Sequence, residues 1–457
     1  MTIQDALRPG RKAFIVGIGG ISMSSLAEAC HARGLSVSGS ERQESPATRR
    51  LSGLGIPVYI EEDPALLVES EFVIRTAAAR NDHPMITGAH ELGLPVFERA
   101  EAWGALSADF THALCVAGTH GKTTTTGMLA HIALRCGDPT IMLGGALPAI
   151  GGAYRAGRGD TILLESCEYK NSYHYFRPTV AVALNVEEDH LDFFRDFDAI
   201  LDSFATFCAL VPEGGHIVLN ADDPGCRALR KRLAGNVKGR GLCFGFGEDA
   251  DVRARDVYVE GGCYAFDVYC EGRLYTRAAL AVPGRHNAYN ALAASAAAWA
   301  AGFPGDAVRE GLLSFTGTGR RLELLGRYAG VPVYDDYAHH PTEIRASLEA
   351  LTAITEGRVL LVFQPHTYTR TKALFDEFVS ALGQADRAFL AEIYAAREPN
   401  PDGFSAQRLQ ERIPNSVFAE DFAALAQAVR TQAQPGDVIC VMGAGDVRGV
   451  GELIIDN

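Results

Sequence analysis

The stretch ALCVAGTHGKTTTT, Ala113 to Thr126, decides the reading of this chain. An apolar, β-branched run leads into a tight glycine turn, and a lysine and a threonine cluster then open a helical pattern. Gly118 and Gly121 let backbone N–H groups approach an anion with no Cβ in the way. With Thr119, His120 and Thr124 the turn forms a phosphate cradle, in which Lys122 supplies a point charge and Thr123 offers a hydroxyl to Mg²⁺. A nucleoside triphosphate is the expected ligand. The full eight-residue phosphate loop would have glycine where Val116 stands, so the match is to a shortened GTHGKT form. The bland alternative is a strand-to-helix turn carrying a surface lysine. On either reading Lys122 sits on an exposed loop, and its removal is expected to leave the fold intact.

Working outward, the first hundred residues alternate short strand-like runs with helical patterns: AFIVGIGG, SMSSLAEACHARG, LSVSGSE. This is a Rossmann-like βα unit. Its loop runs Gly17, Gly19, Gly20, Ser22, Met23, with Ser22 at the third glycine of the dinucleotide fingerprint, which disfavours NAD. A nucleotide diphosphate fits better, and Glu41 at the end of the second strand is placed to meet a ribose. A second block begins at the phosphate loop and continues through TILLES, TVAVALNV and HIVLNADD into a β-rich stretch between Cys243 and Val282. A third alternates again through VPVYDDY, RVLLVFQ, RAFLAEIY and DVICVMGAGD. The expected architecture is α/β in three domains, 1–108, 109–317 and 318–457, with Rossmann-like ends around a central phosphate-loop domain. Junctions near Asp109 and near Gly317 to Gly319 read as hinges whose closure would assemble a site.

Composition agrees with a folded, water-facing chain. At 457 residues, with 47% apolar and 21% charged residues, several domains are expected and long disordered tracts are not. The formal charge of −14 with scattered basic residues argues against a nucleic-acid surface, so anionic ligands must be met by local clusters. Ten cysteines without a CxxC pair read as reduced core thiols. The N-terminal stretch lacks an apolar signal core, and the run Ala288 to Ala301 is too short to span a bilayer, so a cytoplasmic protein is expected.

Further polar residues gather at strand ends. TILLESCEYKNSY places Glu165 at the end of a buried strand, and TVAVALNV runs into Glu187, Glu188, Asp189, His190 and Asp192. Oxygen donors from Thr123 and Glu165 suit magnesium, and His190 either holds a second ion or is a hydrogen-bonded loop histidine. In PGRHNAYNALAA, Asn287 and Asn290 share a helix face, where their amides could read an adenine edge, or Asn287 could simply cap the helix. TGTGRR sets Arg320 and Arg321 beside glycines, as a phosphate grip or as solvated linker residues. YDDYAHHPTE and FQPHTYTRTK each end a strand in polar and aromatic residues, as substrate loops do.

Taken together, GIGGISMS, GTHGKTTTT, NVEEDHLD, PGRHNAYNA, GTGRR, DDYAHHPTE and QPHTYTRT resemble the Mur ligases over essentially the full length, most closely their alanine-adding type. The resemblance implies that the first domain binds the UDP moiety, the second ATP and Mg²⁺, and the third the incoming amino acid. It implies an ADP-forming amide synthesis, in which ATP phosphorylates the lactyl carboxylate of UDP-N-acetylmuramate and L-alanine attacks the acyl phosphate. Carried over residue by residue, Lys122 meets the transferring phosphate, Thr123 and Glu165 hold one Mg²⁺, and Glu165 with His190 holds another. Asn287, Asn290 and Asp336 become nucleotide contacts, with Arg320 or Arg321 near the phosphates. His339, His366 and Arg370 face substrate, His339 with a catalytic part.

Departures from that pattern are ESCEYKNS where many relatives carry a more acidic run, and Thr367 where many carry a second arginine. No lysine lies between Asp192 and Pro212, an absence similar to the alanine-adding type. The nearest rival is a murein peptide ligase acting on the same nucleotide sugar. An NAD-dependent oxidoreductase and a nucleotide-driven switch are rivals of other classes. The sequence leaves the oligomeric state open.

Overall fold

The computed structural model describes every residue except 77, 78, 192, 397, 456 and 457, so Asp192 lies outside the described residues. The chain forms two compact units. One comprises Met1–Val186, Leu201–Asp251 and Ala293–Gly311, the other Glu187–Ile200, Val252–Leu292 and Leu312–Asn457.

In the first unit, Lys12–Val16 lies at the centre of a five-stranded parallel sheet, between Ser36–Ser40 and Phe72–Arg75. Successive connections leave this strand in opposite directions, so its C-terminal end is a switch point where an open α/β sheet binds ligands. The loop from Gly17 to Gly20 sits there. The second sheet of this unit orders its strands Arg240–Gly245, His216–Asn220, Val180–Ala183, His112–Ala117, Thr161–Glu165, Thr140–Leu147 and Gly152–Arg155. His112–Ala117 is again central and buried on both faces. Val116 registers against Glu165 on one side and Val182 on the other, which puts the phosphate loop and the Glu165 carboxylate at one sheet edge.

Contacts cross the junction near Asp109 between these two sheets. Asp109 is ion-paired with Arg33, and Gly104 packs so closely on the Tyr175 carbonyl that a Cβ there would collide with it.

The second unit contains an antiparallel meander, Val252–Glu260, Cys263–Cys270 and Arg273–Pro283. Its main sheet runs Glu323–Tyr328, Val331–Asp336, Val438–Met442, Val359–Phe363, Arg387–Leu390, Ser416–Phe418, parallel except for its first pair. Alternation builds the core. Val359, Leu361 and Phe363 enter one apolar cluster, while Leu360 and Val362 enter the cluster on the opposite face. Among the described residues no helix is long and apolar enough to cross a membrane.

Candidate active site

The phosphate loop is shaped by its glycines and by an asparagine that sequence reading did not single out. Gly118 has φ 146° and Gly121 φ 83°, and a Cβ on Gly118 would lie 2.9 Å from that of Leu184. Asn185 Oδ1 accepts from the backbone N–H of His120 (2.7 Å), its Nδ2 donates to the His120 carbonyl (3.2 Å), and its own carbonyl accepts from Thr119 N–H (3.2 Å). Gly121 is the N-cap of the helix Lys122–Cys136, so that helix presents its positive end at the loop. Thr123 and Thr124 are buried in its first turn.

Thr123 Oγ1 donates to Glu165 Oε1 at 3.0 Å, and Gly144 N–H donates to Glu165 Oε2 at 2.6 Å. These hard oxygen donors suit a magnesium ion. A Cβ on Gly144 would lie 2.7 Å from Glu165 Oε1, so only glycine leaves that space open.

Lys122 is not on an exposed loop. Its side chain is 13% exposed, and Nζ donates to the carbonyls of Gly118 and Thr119 and pairs with Glu168 at 3.0 Å. Burial works against the charge, but Glu168, Cys167 and Glu165 together outweigh it and hold Lys122 above the usual lysine range.

At the first sheet, Gly20 caps the helix Ile21–Ala32, and Gly19 N–H donates to Glu41 Oε2 at 2.9 Å. Glu41 thus lies at the glycine loop, as its place at the strand end suggests. Ser22 and Met23 belong to the helix, and Met23 is a core residue at 3% exposure rather than a loop residue.

The second unit collects the remaining candidates. Asp189 accepts from Arg370 Nη2 (2.8 Å) and Nε (3.2 Å), both groups being nearly buried. Burial pushes its carboxyl up, but His190, Arg370 and His339 outweigh that and hold Asp189 well below the usual range. His190 takes a left-handed φ of 54° and stands 3.8 Å from Asp189, in a different unit from Thr123 and Glu165. The His339 and His366 rings approach to 6.0 Å, His366 stacks on Tyr394, and Arg370 Nη1 lies 3.4 Å from His366 Nδ1. Burial brings both imidazoles down to about 4, so both are neutral at pH 7. His339 Nδ1 donates to the Tyr337 carbonyl at 2.9 Å, which leaves Nε2 as an acceptor. Thr367 begins the helix Tyr368–Ala373 with φ 68°, and its N–H donates to the Tyr394 carbonyl.

Asn287 and Asn290 do share a face: Asn290 Nδ2 donates to Asn287 Oδ1 at 3.2 Å. Asn287 is not a cap. It lies inside the helix Arg285–Ala300 and donates back to the Pro283 carbonyl at 2.7 Å. Asp336 is buried and accepts from Ala338 N–H (2.7 Å) and Leu322 N–H (3.0 Å), and desolvation raises its carboxyl to about 6.

Arg320 and Arg321 both lie over the Tyr337 ring, but their polar partners differ. Arg320 Nη2 donates to the Gly443 carbonyl at 2.7 Å and Nε faces the fully buried Asp335, so this guanidinium is employed inside its own unit. Arg321 stands 3.6 Å from Glu343, which also accepts from His339 N–H. Glu343 closes the DDYAHHPTE motif, yet nothing in that motif distinguishes it from an ordinary first-turn acid of the helix Pro341–Ile354.

Comparison with known proteins adds a frame. The model described as Mur ligase family, catalytic domain, matches residues 13–111, the Mur ligase middle domain 116–298, and the Mur ligase, glutamate ligase domain 320–445. The chain is 40% identical over 451 residues to the UDP-N-acetylmuramate--L-alanine ligase of Caldicellulosiruptor saccharolyticus, covering 97% of this chain and 98% of that protein. It superposes on UDP-N-acetylmuramate-alanine ligase of Thermotoga maritima with a TM-score of 0.81 at 27% identity, covering 97% and 98% of the two chains. A murein peptide ligase of Psychrobacter arcticus gives 0.73 at 25% identity, covering 97% and 98%.

Proposed function

We propose, from the premise that this chain belongs to the Mur ligase family, that it joins L-alanine to UDP-N-acetylmuramate with ATP, releasing ADP and phosphate. The observation that carries the chemistry is the convergence of Lys122, Thr123 and Glu165 at the C-terminal ends of two adjacent parallel strands. A carboxylate and a triphosphate repel each other, and a site joining them must place positive charge and oxygen ligands where the phosphoryl group passes.

On this reading the lactyl carboxylate attacks the γ-phosphorus, the β–γ bond breaks, and ADP departs. The alanine amine then attacks the acyl carbon, and phosphate leaves as the amide forms. Lys122, with the N-terminal end of the helix Lys122–Cys136, takes the nucleotide phosphates, while Asn185 holds the Thr119 and His120 N–H groups and so fixes the loop. Thr123 and Glu165 would hold Mg²⁺, which supplies charge neutralisation when bound; the Gly144 space and the hard donor set fit that ion. Asn287, Asn290, Arg321 and Asp336 are the remaining nucleotide-side candidates, and His190 is the candidate ligand of a second ion. Gly17, Gly19, Gly20 and Glu41 form the loop for the UDP end, whose diphosphate suits a helix N-terminus. In the second unit His339 is neutral with Nε2 unprotonated, so it can accept a hydrogen bond from the amine and orient it, while Arg370 and His366 face the amino acid. A nucleotide-sugar substrate and ATP support a cytoplasmic location.

The murein peptide ligase reading keeps the nucleotide sugar and replaces alanine by a recovered peptide. ADP release measured with UDP-N-acetylmuramate and, in turn, alanine, serine, glycine and a tripeptide decides between them. Turnover with alanine and none with tripeptide is expected; preference for the tripeptide reverses the assignment.

A further inference from the structure

Glu168 has no part in the chemistry above, yet it is buried against the lysine of the phosphate loop. It is 3% exposed, and its oxygens lie 3.2 and 3.0 Å from Lys122 Nζ. The backbone that follows runs against its own preference. Lys170 (φ 53°, ψ 28°) and Asn171 (φ 56°, ψ 29°) are consecutive non-glycine residues in the left-handed region, which asparagine adopts readily but where the Lys170 Cβ crowds the following carbonyl oxygen. Side chains of the helix Phe197–Ala209 hold it in place. Ser203 Oγ donates to Asn171 Oδ1 (2.5 Å) and meets the Tyr173 hydroxyl (2.9 Å), His174 Nε2 meets the Ser203 carbonyl (2.9 Å), and the buried Tyr173 ring stacks on Phe207 at 4.5 Å. Asn171 N–H returns to the Glu168 carbonyl at 2.9 Å, which closes the turn that carries the carboxylate. The segment is held in a strained form, and the form delivers Glu168 to the ammonium.

We propose that Glu168 is a counter-ion latch: it engages Lys122 in the nucleotide-free protein and yields the ammonium to phosphate oxygens on binding, thereby setting nucleotide affinity. The proposal rests on the reading of Lys122 as a phosphate ligand. With Glu168 charged, every nucleotide must displace a buried carboxylate from the lysine. With Glu168→Gln, the free protein has a buried cation short of a counter-ion, and the phosphate supplies one. Glu168 is thus a positioning residue, acting through Lys122.

Calorimetric titration of Mg-ADP into wild type, Glu168→Gln, Ser203→Ala and Lys122→Ala, with kcat and KM for ATP beside it, tests this. Glu168→Gln is expected to lower the ADP Kd by about tenfold and to lower KM for ATP without raising kcat. Ser203→Ala, which loosens the holder and keeps the charge, should shift Kd the same way by a smaller factor, and it serves if the glutamine variant does not fold. Glu168→Asp should return Kd toward wild type. An unchanged or weaker ADP affinity in Glu168→Gln, with only lower thermal stability, overturns the latch and leaves a structural ion pair. If Lys122→Ala binds ADP as wild type does, the phosphate reading itself is wrong; if it loses ADP while Glu168→Gln gains nothing, the latch alone fails.

Discussion

Replacing Lys122 by alanine should cost stability as well as activity. The ammonium is 13% exposed and the carboxylate it neutralises is 3% exposed, so the substitution strands Glu168 in the interior. Removing one partner of a buried pair destabilises by about 3–5 kcal/mol, because the other charge stays without compensation. A side chain on a solvent-facing loop would change stability by no more than about 0.5 kcal/mol. The double variant Lys122→Ala/Glu168→Gln removes the stranded charge and should recover more than half of the loss, while activity stays absent. Both tryptophans, Trp103 and Trp299, lie in the first unit, so urea unfolding followed by tryptophan fluorescence reports the affected part of the molecule. A single variant as stable as wild type at pH 7, or a double variant no more stable than the single one, refutes the reasoning. ADP release near the wild-type rate in either variant would remove Lys122 from the reaction.

Glu165→Ala should raise the magnesium concentration for half-maximal activity by about tenfold or more, and Gly144→Ala, whose Cβ would press on Glu165 Oε1, should raise it less; identical titrations for both variants would take Glu165 off the ion. His286, His339 and His366 are all brought down to about 4 by burial, so between about 4 and 6.5 the folded state binds fewer protons than the unfolded one, and stability falls as pH falls through that window. Asp336, raised to about 6, has the opposite sign and offsets part of this. Thermal unfolding between pH 7 and 5 should show the loss, and His339→Asn should reduce it by at most about 2 kcal/mol; a flat profile in wild type counts against neutral buried imidazoles. Asp189→Asn leaves Arg370 without its carboxylate and should alter KM for the amino acid more than KM for ATP; equal changes in both would detach the pair from amino-acid binding.

The phosphate loop was legible because everything that makes it lies within a few residues: an apolar strand, two glycines that take left-handed or extended angles, a lysine and a threonine. The neighbouring Glu165 was legible for a related reason, since a carboxylate ending a buried strand in an α/β sheet has one place to go. Glu168 was not. Its importance depends on two left-handed residues after it and on Ser203, 32 positions away, and neither is visible as a spacing. Arg320 shows a contact that no spacing could foretell. Flanking glycines suggested a phosphate grip, but the guanidinium meets the Gly443 carbonyl 123 residues downstream, a partner that only the sheet order brings near. Met23 looked like a loop residue because the glycine fingerprint runs into the helix, and the first helical turn then buries it.

The position of Val438–Met442 bears on how the protein is made. This strand comes last in the chain order of its sheet yet lies between Val331–Asp336 and Val359–Phe363. A ribosome delivers those two flanking strands first, and at ordinary translation rates they wait on the order of several seconds for their shared partner. Throughout that interval each nascent strand exposes an unpaired apolar edge, the kind of surface that chaperones bind and that neighbouring chains on a polysome can join. A premature stop codon before residue 438 would therefore not yield a shortened enzyme with a frayed end. It would yield a chain whose last sheet is split down the middle, suited to degradation or aggregation rather than to residual function.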